Sequence, residues 1–383
     1  MKLYFFFIAT ILASCSTKVE IAPIRTIEIP FDFQANRYFH QCEIDKNQYY
    51  MYIDRSNKKC LYIRNIESNK LLLTVPLDSI LNKYKMLQQD LNSACFIIQS
   101  IDSIYVLAKE SNKVFLLNKE GHLLKEYVAS KKLYPENIPF VLQATDNACF
   151  TQIGKNEFIC RTIPLIYCGS RKGRLAFYNL PAVSKLVLKN DSIYLENLNI
   201  YFPDNVRKTG DSYYDFWLQF TINQNYDIIS NYSPNSNLFV LSKNGTKKVY
   251  SAKSKYIEES EIKAVDSVEY FKDTYGCTIN HYATDPFYAK LIYNKYQNCY
   301  FRIAKHSKSY KKADGQINNA ENWSVIFLDE EFNILDEIGF VNDTIYDYKI
   351  FIPTKNGFIL GMQQSDSEKE NEKLRLCEFE VKL

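Results

Sequence analysis

An all-β fold is predicted from the composition and from a repeated strand pattern. The chain has 383 residues, with 30 tyrosines and 25 phenylalanines but only 11 glycines. Aromatic residues favour strands over helices. The hydrophobic fraction of 46% is large enough for a substantial core. These features predict a folded, mostly β protein rather than a disordered one.

Four segments of equal length can be superimposed on one another as hairpins. Each begins with an apolar strand, continues through a polar turn and ends with a second strand. Gly121 and Gly245 lie in two of these turns, where glycine readily adopts the positive φ that tight turns need. A further strand precedes each hairpin, so the predicted unit is an antiparallel meander. The hairpins are residues 62–75, 115–128, 239–252 and 326–339, and the preceding strands are 49–53, 104–108, 226–232 and 299–304.

Six such units fit the chain at a period of about 50 to 60 residues. Residues 174–180 and 185–202 supply strands for a degenerate unit, and residues 346–383 supply another. Short meanders cannot bury both faces alone, and radial packing solves this problem. The sequence therefore predicts a six-bladed β-propeller in which a strand at 24–31 completes the last sheet, closing the ring through the N- and C-terminal strands. Two β-sandwiches or an irregular β-solenoid are the alternatives.

Two segments interrupt the strand pattern. In residues 76–91 apolar residues recur near helical spacing behind Asp78, a suitable N-cap, which predicts a short helix between blades. Residues 251–285 are predicted to be helical or irregular and are too long for an ordinary hairpin loop. Long insertions on a rigid scaffold often carry function.

The N-terminus predicts export and lipid attachment. Lys2 precedes an apolar run, residues 3–13, that is too short to span a bilayer and is typical of a signal peptide. The following "LASC" resembles the lipobox of bacterial lipoproteins, in which the cysteine thiol carries the lipid. The predicted organisation is a signal peptide at 1–14, lipid-bearing Cys15 with a tether at 15–23, and one propeller domain at 24–383.

Lipid attachment at Cys15 would hold the protein on a membrane essentially permanently. Ser16, rather than an aspartate, follows this cysteine, and the resemblance to Gram-negative lipoproteins then favours the outer membrane. The alternative is an ordinary signal peptide with a coincidental cysteine. We therefore expect a lipid-anchored protein of the cell envelope.

The cysteines and histidines form no local metal motif. The nine cysteines other than Cys15 show no disulfide framework and no C-x-x-C pair, and the four histidines are scattered. Six cysteines are predicted to be small buried hydrophobic residues in strands. They are Cys60, Cys95, Cys149, Cys160, Cys299 and Cys377.

Charge and motifs exclude several classes of function. The formal net charge of +3 is spread along the chain without basic blocks, so no nucleic-acid surface is predicted. The sequence contains no G-x-S-x-G, no H-E-x-x-H and no P-loop, and residues 363–375 lack the ligand spacing of a calcium loop. No cofactor, metal or catalytic residue is predicted. A non-enzymatic role is favoured, although propeller enzymes assemble their sites from distant residues.

One stretch, "LIYNKYQNCYFRIAKH" at 291–306, supports a family resemblance together with the lipobox and the hairpin repeats. The chain resembles the uncharacterised six-bladed propeller lipoproteins of Gram-negative gut bacteria, a domain of unknown function with a TolB-like propeller. The positions that match the family pattern are Tyr293, Asn294, Tyr296, Phe301 and Arg302. The resemblance implies the fold and the location but no activity.

A ligand site is predicted where the loops of one propeller face converge on a central funnel. Arginine can clamp a carboxylate or phosphate, and tyrosine can stack on sugars or apolar rings. The alternative is that these aromatic residues are ordinary core and that Arg302 is structural. The ligand-binding candidates are His281, Tyr282, Asp285, Tyr288, Tyr296, Arg302 and His306.

Three functions remain open. The first is an envelope binding or interaction module for a glycan, a peptide or a protein partner. The second is a propeller hydrolase or lyase, which requires paired carboxylates, or a histidine with a carboxylate, at the funnel. The third is a scaffold subunit of an envelope assembly, which requires an exposed apolar patch outside the funnel. The sequence favours the first.

Overall fold

The structure is a computed structural model with an all-β, propeller-like arrangement of sheets. Its described part contains three short α-helices, α1 (Asp78–Tyr84), α2 (Arg171–Tyr178) and α3 (Asp204–Thr209), and one 3-10 helix (Glu259–Glu261). The described residues are 18–30, 39–54, 60–84, 94–107, 112–129, 138–143, 150–166, 170–211, 218–264, 284–307, 321–363 and 373–383.

The N-terminal half forms one separate four-stranded meander and one nine-stranded sheet. Strand β1 (Glu20–Pro30) comes first in the chain. The meander then consists of β2 (Phe39–Ile44), β3 (Asn47–Asp54), β4 (Cys60–Asn65) and β5 (Leu71–Pro76). The nine-stranded sheet consists of β6 (Cys95–Ser100), β7 (Ser103–Leu107), β8 (Lys113–Leu117), β9 (Leu123–Ala129), β10 (Phe140–Gln143), β11 (Phe150–Gly154), β12 (Glu157–Pro164), β13 (Val183–Lys189) and β14 (Ser192–Asn197).

The C-terminal half forms three four-stranded sheets. The first has β15 (Leu218–Ile222), β16 (Ile228–Tyr232), β17 (Asn237–Leu241) and β18 (Lys247–Ser251). The second has β19 (Phe287–Asn294), β20 (Cys299–Lys305), β21 (Glu321–Leu328) and β22 (Ile334–Asp343). The last has β23 (Tyr346–Pro353), β24 (Gly357–Met362) and β25 (Lys373–Lys382), with β1 as its fourth strand.

The four predicted hairpins are confirmed. They correspond to β4–β5, β8–β9, β17–β18 and β21–β22, and each is preceded by the predicted strand. The predicted N-terminal strand pairs antiparallel with β25. This strand begins at Glu20, so residues 20–23, expected to be a tether, belong to the sheet. Asp78 begins the helix expected within 76–91, and residues 85–91 lie outside the described part.

Two expectations differ from the structure. Residues 174–180, expected to form a strand, belong mostly to α2, which is capped where the Ser170 hydroxyl accepts a hydrogen bond from the Gly173 amide. Six separate sheets were expected, whereas the described chain has five, because β9 and β14 pair in parallel. Two residue pairs, Val128 with Ser192 and Ala129 with Ile193, join two meanders into the nine-stranded sheet.

The core consists of separate apolar clusters between neighbouring meanders. One cluster lies between β2–β5 and β6–β9, and another lies between the β15–β18 and β19–β22 sheets. A further cluster combines residues of β1, β3 and β23–β25, so the first and last sheets also pack together. Five of the six cysteines expected to be buried are buried, and Cys149 lies outside the described residues. Face-to-face packing of successive sheets is the arrangement expected of a propeller.

Candidate functional site

Arg302 of β20 is fully buried, and all five of its N–H groups donate to the neighbouring β15–β18 sheet. Nε and one Nη donate to Asn231 Oδ1 at 2.9 and 2.7 Å. The remaining donors reach three backbone carbonyls, those of Asn235, Ser236 and Ala252, at 2.5 to 2.8 Å. Because no guanidinium N–H remains unused, Arg302 has no donor to offer a ligand in this structure.

Tyr288 completes the surroundings of this guanidinium. The Arg302 Cζ atom lies 3.7 Å from the centre of the Tyr288 ring, which is a close cation–π contact. The Tyr288 hydroxyl accepts a hydrogen bond from the Ser254 amide at 3.1 Å. Burial lowers the pKa of Arg302 to about 9, and Tyr288 and Glu337 oppose this shift. The guanidinium therefore stays charged at neutral pH.

His306 belongs to a buried chain of polar side chains. Its Nε2 lies 2.8 Å from the Ser324 hydroxyl, which donates to Glu337 Oε1 at 2.5 Å. The Ser324 hydroxyl has one proton, and it points to the Glu337 carboxylate. His306 Nε2 must therefore carry the proton of the hydrogen bond between His306 and Ser324. Burial, with a contribution from Lys305, lowers the pKa of His306 to about 4, so the ring is neutral at pH 7.

This histidine–serine–carboxylate chain is not arranged for nucleophilic catalysis. A serine nucleophile needs a base that accepts its proton, whereas the His306 Nε2 donates to Ser324. Ser324 is also 0% exposed, so a substrate has no access to its hydroxyl. The chain instead joins β20, β21 and β22 to the segment after β18, because the Ser254 hydroxyl donates to the same Glu337 carboxylate.

The other predicted site residues take no part in the hydrogen bonds of Arg302 and His306 described above. His281 and Tyr282 lie outside the described residues. Asp285 precedes β19, where its backbone carbonyl accepts from Lys305 Nζ at 2.8 Å and its carboxylate accepts from Thr284. Tyr296 lies in the turn at the other end of the β19–β20 hairpin, which is about 20 Å long. One small ligand cannot contact both ends.

Tyr296 joins its own sheet to the first meander. Its hydroxyl donates to Glu43 Oε2 at 2.8 Å, and Lys295 Nζ lies 2.6 Å from the same oxygen. Burial, followed by the hydrogen bond to Glu43, raises the pKa of Tyr296 above its usual range. All the contacts named above join these candidates to other residues of the protein. Ligand binding by the candidates therefore stays a prediction.

The structure also contains a cleft that the sequence analysis missed. It is a cavity of about 380 Å³ between the α3 region and strands β16 to β18. We call it the Tyr201 cleft and define it by Tyr201, Phe202, Arg207, Ser230, Phe239, Lys247 and Val249. The sequence predicts strands over residues 185–202, whereas Tyr201 and Phe202 follow β14 and form a wall of this cleft. The long connection between β14 and β15 was the available signal.

Two cations face the Tyr201 ring in this cleft. Arg207 Cζ lies 4.8 Å from the ring centre, and Lys247 Nζ lies 5.7 Å from it. Arg207 is further oriented by a hydrogen bond from Nε to Asn179 Oδ1 at 3.1 Å and by Asp204 at 3.3 Å. Lys247 has no ion-pair partner among the described residues.

A buried hydroxyl lies at the base of the same cleft. Ser230 is 1% exposed, and its Oγ has no hydrogen-bond partner within the described part of the chain. An unpaired buried hydroxyl costs about 1 to 3 kcal/mol, so proteins rarely retain one without a reason. A ligand atom that accepted from or donated to Ser230 would remove this cost.

Two further cavities are chemically different. A groove of about 570 Å³ runs between the edge strands β1 and β22, where lysine and carboxylate side chains are mixed. A cavity of about 260 Å³ lies between the β15–β18 and β19–β22 sheets beside Tyr250 and Phe332. Neither is lined by a buried polar side chain that lacks a partner among the described residues.

No metal or membrane-spanning feature was found in the described part. Its His, Cys, Asp and Glu side chains form no group of three or more that could hold a metal ion. No described helix is long and apolar enough to cross a membrane.

Comparisons with known proteins identify a family. The family model "Domain of unknown function (DUF4221)" matches residues 43–339 of the chain. The protein belongs to the DUF4221 family. A crystal structure of a DUF4221 member from Bacteroides vulgatus is similar, with a TM-score of 0.73 and 18% identity, over 96% of this chain and 99% of that one. This similarity supports the propeller-like fold and confirms the family resemblance.

More distant likenesses add nothing on activity. A virginiamycin B lyase from Staphylococcus aureus has a TM-score of 0.42 and 10% identity over 94% of this chain and 99% of that one. A protein of unknown function from Bacteroides caccae has a TM-score of 0.36 and 10% identity over 84% and 86%. Both are too dissimilar to bear on this chain. No curated protein matches it.

The residues that match the family pattern connect neighbouring sheets in this DUF4221 protein. Asn294 is fully buried, and its Nδ2 donates to the carbonyls of Thr354 and Gly357 in the next sheet at 3.0 and 3.2 Å. Phe301 packs against Phe351 and Phe358 of that sheet. Arg302 reaches the preceding sheet, as described above. In this protein the pattern holds three successive sheets together.

Proposed function

We propose that this DUF4221 protein is a membrane-anchored cell-envelope lipoprotein whose propeller serves as a binding module, with the Tyr201 cleft as its ligand site. The observation that carries the proposal is the composition of the cleft, which combines an open cavity, two cations on an aromatic ring and an unpaired buried hydroxyl. Ligand sites are concave and mostly apolar, with a few polar groups placed to orient the ligand.

We further propose that the ring has six blades. The nine-stranded sheet then counts as two, β6–β9 and β10–β14, since only two residue pairs connect them. Support comes from an apolar cluster between these two meanders, which pack on each other as separate sheets do elsewhere in the chain. The pairing of β1 with β25 supports closure of the ring through both chain ends.

The anchor in this proposal is Cys15, with the outer membrane as the expected location. Four residues separate Cys15 from Glu20, the first residue of β1, and the five Cα-to-Cα steps reach at most about 18 Å. The propeller would therefore lie close to the membrane surface. Its partner or ligand would be a component of the envelope or a molecule that passes through it.

Replacement of Cys15 with alanine is expected to release the protein from the membrane fraction. The physical reason is the loss of the acyl chains, each of which contributes about 0.8 kcal/mol per buried methylene. Fractionation of Gram-negative cells that express the parent and the variant measures the effect. Replacement of Cys42, a cysteine within β2, is the control and should leave the protein in the membrane. Equal membrane association of the Cys15 variant and the parent would contradict the anchor.

A thermal-shift screen tests the ligand site. A version that begins at residue 16 contains every described residue, and it can be screened against glycans, peptides, nucleotides and small organic acids. A ligand at a hundredfold excess over its Kd should raise Tm by about 3 °C. Val249, which is 59% exposed at the mouth of the cleft, is replaced with tryptophan to fill it.

The matched control for this variant is Val341→Trp. Val341 is 63% exposed on the edge strand β22 of the neighbouring sheet, so both changes add a large aromatic residue to an exposed strand edge. The ligand-induced shift should disappear in Val249→Trp and persist in Val341→Trp. A shift that survives in both variants would place the ligand elsewhere and overturn the assignment of the site.

A further inference from the structure

We propose that the Tyr201 cleft selects organic anions with an apolar body, such as aromatic or aliphatic carboxylates, sulfonates or phosphates. This inference rests on the proposed function of the cleft as a ligand site and adds the chemical class of its ligand. It depends on three features of the described residues, namely the sign of the charge at the rim, the apolar walls and the hydroxyl at the base.

The register of the sheet shows which lysine shares a face with Ser230. Ser230 is opposite Phe239, and Phe239 is opposite Val249. Directly opposite residues of antiparallel strands lie on the same face of a sheet, and neighbours along a strand alternate. Lys247 therefore shares the face of Ser230, Phe239 and Val249. Lys248 belongs to the other face of the strand, although it also lines the cleft.

The rim of the cleft carries a net positive charge. Arg207, Lys247 and Lys248 are the cations among its lining residues, and Asp204 is the carboxylate. Asp204 lies 3.3 Å from Arg207, and its side chain is 74% exposed, so it offsets one charge and points largely to solvent. A cationic ligand would meet two positive groups over the Tyr201 ring, whereas an anion would be attracted to them.

The walls and base select the rest of the ligand. Phe202 is buried and Phe239 is half-buried, and together with the exposed Val249 they offer an apolar surface. A simple inorganic anion would leave this surface uncovered. Ser230 lies beneath these walls on the same face, so a polar atom on the apolar body could pair its hydroxyl.

Paired fluorescent probes test this inference on the chain from residue 16 onward. The anionic probe is 8-anilinonaphthalene-1-sulfonate, and the neutral probe is N-phenyl-1-naphthylamine, which has the same rings without the sulfonate. We expect the parent to bind the anionic probe more tightly than the neutral one. The preference should decrease at high salt, because the charges at the rim are exposed to screening.

Lys247→Gln and Lys243→Gln form the matched pair of variants. Both lysines are exposed and both changes remove one positive charge, but Lys247 lines the cleft, whereas Lys243 lies in the turn before β18 and is not one of the lining residues. Lys247→Gln should weaken binding of the anionic probe about fivefold and leave the neutral probe unchanged. Lys243→Gln should change neither, and Val249→Trp should remove binding of both.

The outcomes separate this inference from the proposed function. Suppose that both probes bind equally, that Val249→Trp removes their binding and that Lys247→Gln does not change it. The cleft is then a ligand site, but the preference for anions is wrong. If both lysine variants weaken the anionic probe equally, the attraction arises from overall charge and the inference is overturned. If Val249→Trp has no effect on either probe, the cleft is not the site and both proposals fail.

Discussion

Replacement of Arg302 with methionine is expected to reduce the free energy of unfolding by about 3 to 5 kcal/mol. Methionine matches the apolar stem of arginine but removes all five donors. Asn231 Oδ1 and the carbonyls of Asn235, Ser236 and Ala252 would lose these hydrogen bonds in the interior. Since a whole domain has a net stability of about 5 to 15 kcal/mol, one such change removes a large part of it.

Urea unfolding of the parent, Arg302→Met and Arg302→Lys measures this effect. Lysine keeps the positive charge but has three donors on one nitrogen, so it cannot reach acceptors on several sides of a guanidinium. Both variants should therefore be destabilised. If Arg302→Met unfolded within about 1 kcal/mol of the parent, the contacts between β20 and the β15–β18 sheet would not stabilise the fold as described.

Replacement of Gly121 with alanine is expected to have the second large effect and to reduce the free energy of unfolding by at least about 3 kcal/mol. Gly121 has a φ of 76°, and a Cβ atom there would lie 2.0 Å from the carbonyl oxygen of Pro76, at the end of the neighbouring meander. The Gly121 carbonyl also accepts a hydrogen bond from Ser79 of α1. The turn and the neighbouring backbone would have to move apart to admit the methyl group.

Gly245→Ala is the matched control for this change. Gly245 also lies in a hairpin turn, has a φ of 85° and donates its amide to the carbonyl three residues earlier, as Gly121 does. No atom lies within 4 Å of a Cβ at Gly245, so only the backbone conformation opposes alanine, at about 1 to 2 kcal/mol. The difference between the two variants in urea unfolding measures the contact between the meanders. Equal losses would contradict that contact.

The hairpins could be predicted from the sequence because their signals are local. Each pairs an alternating or apolar strand with a turn of polar residues, and the register follows from a few neighbouring positions. The N-terminal strand could also be placed, since a closed ring leaves one strand of the last sheet to be supplied by the other end of the chain. These features depend little on distant residues.

Other features depend on contacts that the sequence does not display. The α2 helix contains Phe177 and Tyr178, whose aromatic character favours a strand, but both rings pack on Phe202 from a separate connection. The parallel pairing of β9 and β14 joins segments about 60 residues apart with no motif at either end. Tertiary packing overrides local propensity in both places.

The candidate site also combines features that the sequence predicts with features that depend on distant contacts. Tyr288 and Arg302 do come together, but the arginine is satisfied by backbone carbonyls that are distant in sequence. The Tyr201 cleft combines Tyr201, Ser230 and Lys247 from three elements, and no short motif links them. Tyr288 and Arg302, which the sequence analysis names as ligand-binding candidates, thus form inter-sheet contacts, whereas the Tyr201 cleft consists of residues that it did not name.

The most direct test of the account is a crystal structure of the chain from residue 16 onward with 8-anilinonaphthalene-1-sulfonate bound. We predict that the naphthyl rings lie against Phe239 and Val249, with the sulfonate within hydrogen-bond distance of Lys247 or Arg207. Electron density for the probe at another surface, with the Tyr201 cleft holding only solvent, would contradict the assignment of this cleft as the ligand site.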